Sequence, residues 1–209
     1  MREVPAGGEV RGEDWDGADL SGLSFSGVTF LDVDLTDASS KGAAFEGCSF
    51  RACQFNGSTH ADSAFLNCTF TNCSFFDARM TGCKATGSLF SRCTFDLLRV
   101  ERGDWSFVGL AGADLRRAAL EGVRMREADL TGARCAGAVL RGLDLSGAAL
   151  HRADLSRCDL RGSELSGVDP LGVELRGAVV DVHQAVVLVT ALGLEVRPDD
   201  DGEDGPARR

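Results

Sequence analysis

The sequence predicts an all-β solenoid, a rod of stacked coils assembled from five-residue units and closed at its C-terminal end by a short helix. Two counts and one composition shift lead there. Between Leu20 and Leu175, 23 of the 32 residues at multiples of five are Leu or Phe, and 10 of the chain's 12 Phe fall on those positions. The residue two places before each is Ala, Cys, Ser or Val in 28 of the 32 units. Neither helical nor simple strand periodicity produces this pattern, whereas a solenoid with a fixed short repeat does. After Val180 the repeat stops and a Val-rich segment follows.

The elements follow in chain order. Residues 1–14 precede the repeat and are expected to be an N-terminal cap or disordered. They contain no apolar stretch of the kind a secretion signal needs. Residues 15–180 form the repeat. In each unit the large apolar residue and the small one two before it point inward. The other three face water and are mostly Asp, Arg, Thr, Ser and Gly. Glycine clusters two places after the centre, as at Gly22, Gly42, Gly82 and Gly142, where the chain has to turn a corner. A unit this short cannot bury its own apolar face, so coils must stack to make a continuous core.

Residues 181–196 read as a helix. Asp181 is the expected N-cap, and Gly193 marks the C-terminal end. Val182, Ala185, Val186, Val189 and Leu192 share one helical stripe. The Val content by itself favours a strand, so the helix rests on its caps and spacing. Residues 197–209 are strongly acidic and are expected to be a disordered tail.

The units ADLSG (18–22), ADLRR (113–117), ADLTG (128–132) and ADLSR (153–157) resemble the pentapeptide-repeat consensus, A(D/N)LXX. The resemblance covers residues 15–180. It implies a right-handed quadrilateral β-helix with four units per coil and about eight coils, hence a rod roughly 40 Å long at the β spacing. Residues twenty apart then stack in ladders such as Phe30, Phe50, Phe70, Phe90, Leu110, Leu130, Leu150. The segment SELSGVDPLGVELRGAVVDVHQAVVLVTALGLEV is similar to the ends of quinolone-resistance proteins of the Qnr and MfpA type. CTFTNCSFFDARMTGCKATGSLFSRCTF resembles the core of the MfpA type. That resemblance implies a homodimer joined through the C-terminal helix and a DNA-like acidic rod that binds DNA gyrase, with topoisomerase IV as a second candidate. The outcome would be inhibition of gyrase, protection from quinolones, or both. The unbroken register leaves no room for the projecting loops of several Qnr proteins, which places the chain nearer the MfpA type.

The charge of -10 argues against direct nucleic-acid binding and fits a basic partner. It is concentrated early: residues 1–100 hold 13 acids and 8 bases, while residues 101–180 hold 12 and 11. The side of the coil centred on 35, 55, 75, 95 and 115 is expected to present Asp34, Asp37, Asp77, Asp96 and Asp114 as carboxylates repeating along one face, with no base before Arg116. Phe76 and Leu97 should point outward on that side, and Leu31 and Phe107 on others. Such a face can resemble a line of phosphates.

The remaining reactive residue types have plainer roles. Seven of the eight cysteines occupy the small inward position, where Cys acts as a small apolar residue, and no metal or catalytic motif is present. His60 takes an inward centre between Ser40 and Met80, either as a neutral His bonded to Ser40 or backbone, or at an exposed bulge. No enzymatic activity and no cofactor are expected. The absence of a signal segment and the unpaired cysteines point to the cytoplasm. Two alternatives to gyrase binding stand: a generic interaction scaffold, and self-immunity for a producer of a topoisomerase poison.

Overall fold

A pentad cannot satisfy its own backbone, and the chain solves this by pairing each residue with the one twenty positions on. The computed structural model describes residues 5–197. They wind into a four-sided parallel β-solenoid closed by one helix. One wall carries strands Glu9–Arg11, Thr29–Leu31, Ser49–Arg51, Thr69–Thr71 and Leu89–Ser91, with Val10, Phe30, Phe50, Phe70 and Phe90 in register. A second carries Ser39–Lys41, Thr59–Ala61, Arg79–Thr81, Arg99–Glu101, Ala119–Glu121 and Val139–Arg141. A third carries Ser24–Ser26, Ala44–Glu46 and Ala64–Leu66. The fourth, centred on Leu35, Phe55, Phe75 and Phe95, is joined through isolated bridges such as Asp34 to Gln54 and Gln54 to Ser74. Along the second wall the buried centres run Leu20, Ser40, His60, Met80, Val100, Leu120, Leu140, Leu160, one full turn apart.

Close stacking explains the segregation of Phe and Leu. Phe30, Phe50 and Phe70 lie nearly parallel at 4.7 and 4.8 Å between ring centres, and meet the neighbouring column of Phe25, Phe45 and Phe65 edge-on, as Phe30 meets Phe45 at 6.1 Å. Flat rings stack at successive levels close to the coil spacing, and both geometries are favourable for aromatic pairs. The small inward residues have a second role. The thiols of Cys48, Cys53, Cys68 and Cys73 donate to the carbonyls of Phe25, Phe30, Phe45 and Phe50 at 3.4 to 3.5 Å. Ser88 does the same to Phe65 at 2.7 Å. Ala, Cys and Ser recur here because the position takes a compact side chain, and the thiols and hydroxyls find a carbonyl of the coil below.

Corners with positive φ recur every five residues from Gly7 to Gly162, with Arg117 the only exception. The left-handed conformation favours Gly, Asp and Asn. At Gly57 glycine suits the corner twice over: its φ is +65°, and the Asp37 carboxylate folds into the space a Cβ would take and would have to swing away.

The expected boundary at residue 15 is too late. Glu9–Arg11 already pairs with Thr29–Leu31, and Val10 is buried beneath Phe30, so residues 9–14 belong to the first coil instead of forming a cap. The apolar signal there is weak because only Val10 and Trp15 mark it. The expected acidic tail at 198–209 lies outside the described residues.

Helix α1 (Val182–Ala191) covers the C-terminal end. Asp181 caps it by accepting from the Gln184 amide, and Gln184 returns the bond by accepting from the Asp181 amide at 2.8 Å. Among the described residues no helix is long and apolar enough to cross a membrane.

Candidate partner-binding surfaces

The five carboxylates expected on one face do share the fourth wall, but they do not form a single line. Asp34 and Asp114 lie in the column just before the centres, where Gln54, Ser74 and Thr94 separate them. Asp96 lies in the column just after the centres, and Asp37 and Asp77 lie on the corner. A five-residue period fixes the wall, and each side chain's place within its own unit fixes the column.

Arginines also neutralise three of them. Asp114 is held by Arg116 at 2.7 Å and by Arg134, one coil above, at 3.0 Å. Asp96 faces Arg117 at 3.7 Å, and Asp77 reaches Arg79 at 4.0 Å. The Arg116 side-chain hydrogen bond holds the Asp114 carboxyl below its ordinary range. Among the described residues no base lies within ion-pairing distance of Asp14, Asp16, Asp34 or Asp37. Asp14 and Asp34 are paired neighbours on successive coils. The uncompensated negative charge therefore sits at the N-terminal end of the wall, and the sequence reading missed Asp14 and Asp16. Phe76 projects from the same wall and is 47% exposed.

Above Asp96 the wall comes apart. The coils below are laced together, as in Thr94 N–H to Cys73 O at 3.0 Å and Phe75 N–H to Thr94 O at 2.9 Å, and so are those above, as in Leu115 N–H to Arg134 O at 2.7 Å. Between Cys93–Leu97 and Asp114–Arg116 no backbone hydrogen bond forms. Arg117, the one corner between Gly7 and Gly162 without a positive φ, belongs to the upper lip. The Phe75 and Phe95 rings are 5.7 Å apart, wider than the 4.9 Å of Phe55 and Phe75. Nothing in the pentad pattern marks this seam.

Elsewhere the upper coils carry alternating charges in register. Asp104, Arg124 and Asp144 are successive partners, as are Asp114, Arg134 and Asp154. Arg124 reaches Asp104 at 3.1 Å. Opposite charges directly above one another stabilise the register modestly and offset much of each other's field.

At the C-terminal end Gln184 is the residue that joins α1 to the rod. It is 3% exposed and donates to Leu160 O at 2.6 Å and Ser163 O at 2.7 Å, carbonyls of the last complete coil. An Asp-x-x-Gln spacing is a capping-box signature and would have found it. The stripe of Val182, Ala185, Val186, Val189 and Leu192 faces away from the rod or along its margin. Val182, Val186 and Leu192 are 83%, 40% and 47% exposed, and Leu194 continues the patch. Leu188 supplies the contact with the core.

His60 is fully inside. Its Nδ1 bonds Ser40 Oγ at 2.7 Å and its Nε2 bonds Ser58 Oγ at 3.2 Å, while Ser63 Oγ bonds Ser40 Oγ at 2.9 Å. The bulge alternative is excluded by its unbroken pairing with Ser40 and Met80. Burial pushes its pKa down to about 4, so it is neutral at physiological pH.

The profile for pentapeptide repeats matches residues 16–51, 110–147, 133–169 and 144–179, in eight copies, which together span just over half of the 209 residues. The chain belongs to the pentapeptide-repeat family. A trypsin-treated form of QnrB1, a plasmid-mediated fluoroquinolone resistance protein, is 24% identical, covering 93% of this chain and 97% of its own, with a TM-score of 0.55. A second trypsin-treated form of QnrB1 is 27% identical, covering 91% and 98%, with a TM-score of 0.52. HetL, a pentapeptide-repeat protein involved in heterocyst differentiation regulation in the cyanobacterium Nostoc sp. strain PCC 7120, is 22% identical, covering 81% and 84%, with a TM-score of 0.41. No curated protein matches the sequence. This pentapeptide-repeat protein shares its fold with a quinolone-resistance protein. Its regular corners leave no projecting loop between Gly7 and Gly162.

Proposed function

We propose that this pentapeptide-repeat protein is a cytoplasmic DNA mimic that binds DNA gyrase, inhibits it, and does so as a homodimer joined through α1. The observation that carries the reading is the set of uncompensated carboxylates, Asp14, Asp16, Asp34 and Asp37, at one end of a narrow rod. Asp14 and Asp34, neighbours on successive coils roughly 4.8 Å apart, set two negative groups at a spacing comparable with the ~3.4 Å between phosphates along a DNA strand, and Asp16 and Asp37 flank them. The resemblance to QnrB1, a fluoroquinolone resistance protein, supports the choice of target class. The apolar patch of Val182, Val186, Leu192 and Leu194 is the kind of surface that a second copy would cover. Phe76 would add an apolar contact beside the acids. Protection from quinolones and action on topoisomerase IV are finer outcomes of the same binding.

The ion pairs over Asp77, Asp96 and Asp114 favour a second reading, a scaffold solenoid without a DNA-like face. A supercoiling assay with purified gyrase, with and without a quinolone, separates the two. Inhibition at micromolar protein supports the mimic. Inhibition without relief of the drug fits the loop-free rod, and relief adds protection to it. Unchanged supercoiling in both conditions favours the scaffold.

A further inference from the structure

We infer that Cys73 and Cys93 form a peroxide-sensitive thiol pair, with Cys93 as the attacking thiol and Cys73 as the resolving one. The site lies beneath the seam in the fourth wall and is independent of any gyrase partner. Seven of the eight cysteines are buried and Cys93 alone is partly exposed. The cause is visible in the backbone: the coil above withdraws its hydrogen bonds from residues 93–97, and Ala113, the residue that would cover Cys93, is itself only partly buried.

The partner is in place. Cys53, Cys73 and Cys93 stack in one inward column, and Thr94 N–H bonds Cys73 O at 3.0 Å, which fixes the two coils in register. Ladder neighbours have Cα atoms roughly 4.8 Å apart, inside the ~4.4–6.8 Å span that a disulfide accepts. The neighbouring Cys73 thiol also holds the Cys93 thiol below its ordinary range, while the Cys93 thiol itself points to Phe70 O on the Cys73 coil at 3.5 Å. Acidity without access is not enough. Cys68 holds the Cys48 thiol down to about 7, yet Cys48 is 1% exposed with the wall closed over it.

The chemistry balances in two steps. The Cys93 thiolate attacks one oxygen of hydrogen peroxide, the O–O bond breaks, and the products are Cys93 sulfenic acid and, after proton uptake, water. The Cys73 thiol then attacks the Cys93 sulfur, the S–O bond breaks, and a second water leaves as the disulfide forms. Two thiols are oxidised and one peroxide is reduced. A bulkier electrophile would stop at Cys93 and lodge in the seam beside the Asp96–Arg117 pair.

Alkylation of the native full-length protein by iodoacetamide, followed by peptide mapping, tests the first half. Cys93 is expected to react about tenfold faster than any other cysteine. Equal rates, or faster reaction at Cys48, would overturn the inference. Hydrogen peroxide should then give a Cys73–Cys93 disulfide, and Cys73→Ser should leave a Cys93 sulfenic acid that dimedone traps. A Cys53–Cys73 disulfide, or none, contradicts the pairing. Serine already fills the equivalent inward position at Ser58, Ser63, Ser88 and Ser163, so both Cys73→Ser and Cys93→Ser retain the fold.

Discussion

Buried His60 should make the rod acid-labile in a defined window. In the folded protein it faces the rings of Phe55 and Phe65 and the hydroxyls of Ser40 and Ser58, and burial lowers its pKa from 6.5 to about 4. Above the unfolded value both states carry a neutral imidazole, and pH has no effect through this residue. As the pH falls from 6.5 towards 4 the unfolded chain takes up a proton that the folded chain refuses, so stability drops. At 1.36 kcal/mol per unit the loss approaches about 3 kcal/mol and levels off below the folded pKa. The carboxylates act lower down. Asp159, held to about 2 by its hydrogen bond with Arg161, loses its contribution only as the pH falls below 3.8 towards that value. Urea unfolding at a series of pH values, for the protein and for His60→Met, isolates the effect. Met already fills the next level at Met80, and Ser40 and Ser58 keep partners in Ser63 and Phe55 O. The slope between about pH 6.5 and 4.5 should vanish in the variant. An unchanged slope would mean that His60 is not the group responsible, and the neutral-core assignment would fail.

Three further outcomes follow from the packing. Phe50→Ala removes a ring stacked on Phe30 and Phe70 and should cost about 4 kcal/mol, whereas Phe50→Leu should cost far less because Leu110, Leu130 and Leu150 fill the same column; chemical denaturation compares them. Gln184→Ala strands two carbonyls at the rod's end and should cost about 3 kcal/mol, with faster hydrogen exchange confined to the last coils and α1. Val186→Asp should give monomers by light scattering without a change in fold, and a persistent dimer would remove α1 as the seam between copies.

The repeat was legible because each pentad repeats the same two inward positions, and twenty-residue ladders follow once four units make a coil. The Phe columns and the Cys and Ser positions were readable on that basis, and the helix from its caps, Asp181 and Gly193, and the spacing between them. What escaped depends on contacts between coils. Asp114 reads as a free acid until Arg134, twenty residues on, is placed above it. Asp14 fell in the stretch expected to precede the repeat, and Asp16 at its very edge, because the first coil has only Val10 and Trp15 to announce it. The seam at Cys93 carries no signal, since Phe95 and Leu115 both keep the period while the backbone between them separates.

The binding account rests on where negative charge is left uncompensated, and charge reversal with purified gyrase tests it most directly. Replacing Asp14, Asp16, Asp34 and Asp37 with Lys should abolish inhibition of supercoiling, while Asp77→Lys and Asp114→Lys, at sites already paired with arginine, should change it far less. Full inhibition by the fourfold variant, with its fold intact by circular dichroism, would contradict the account.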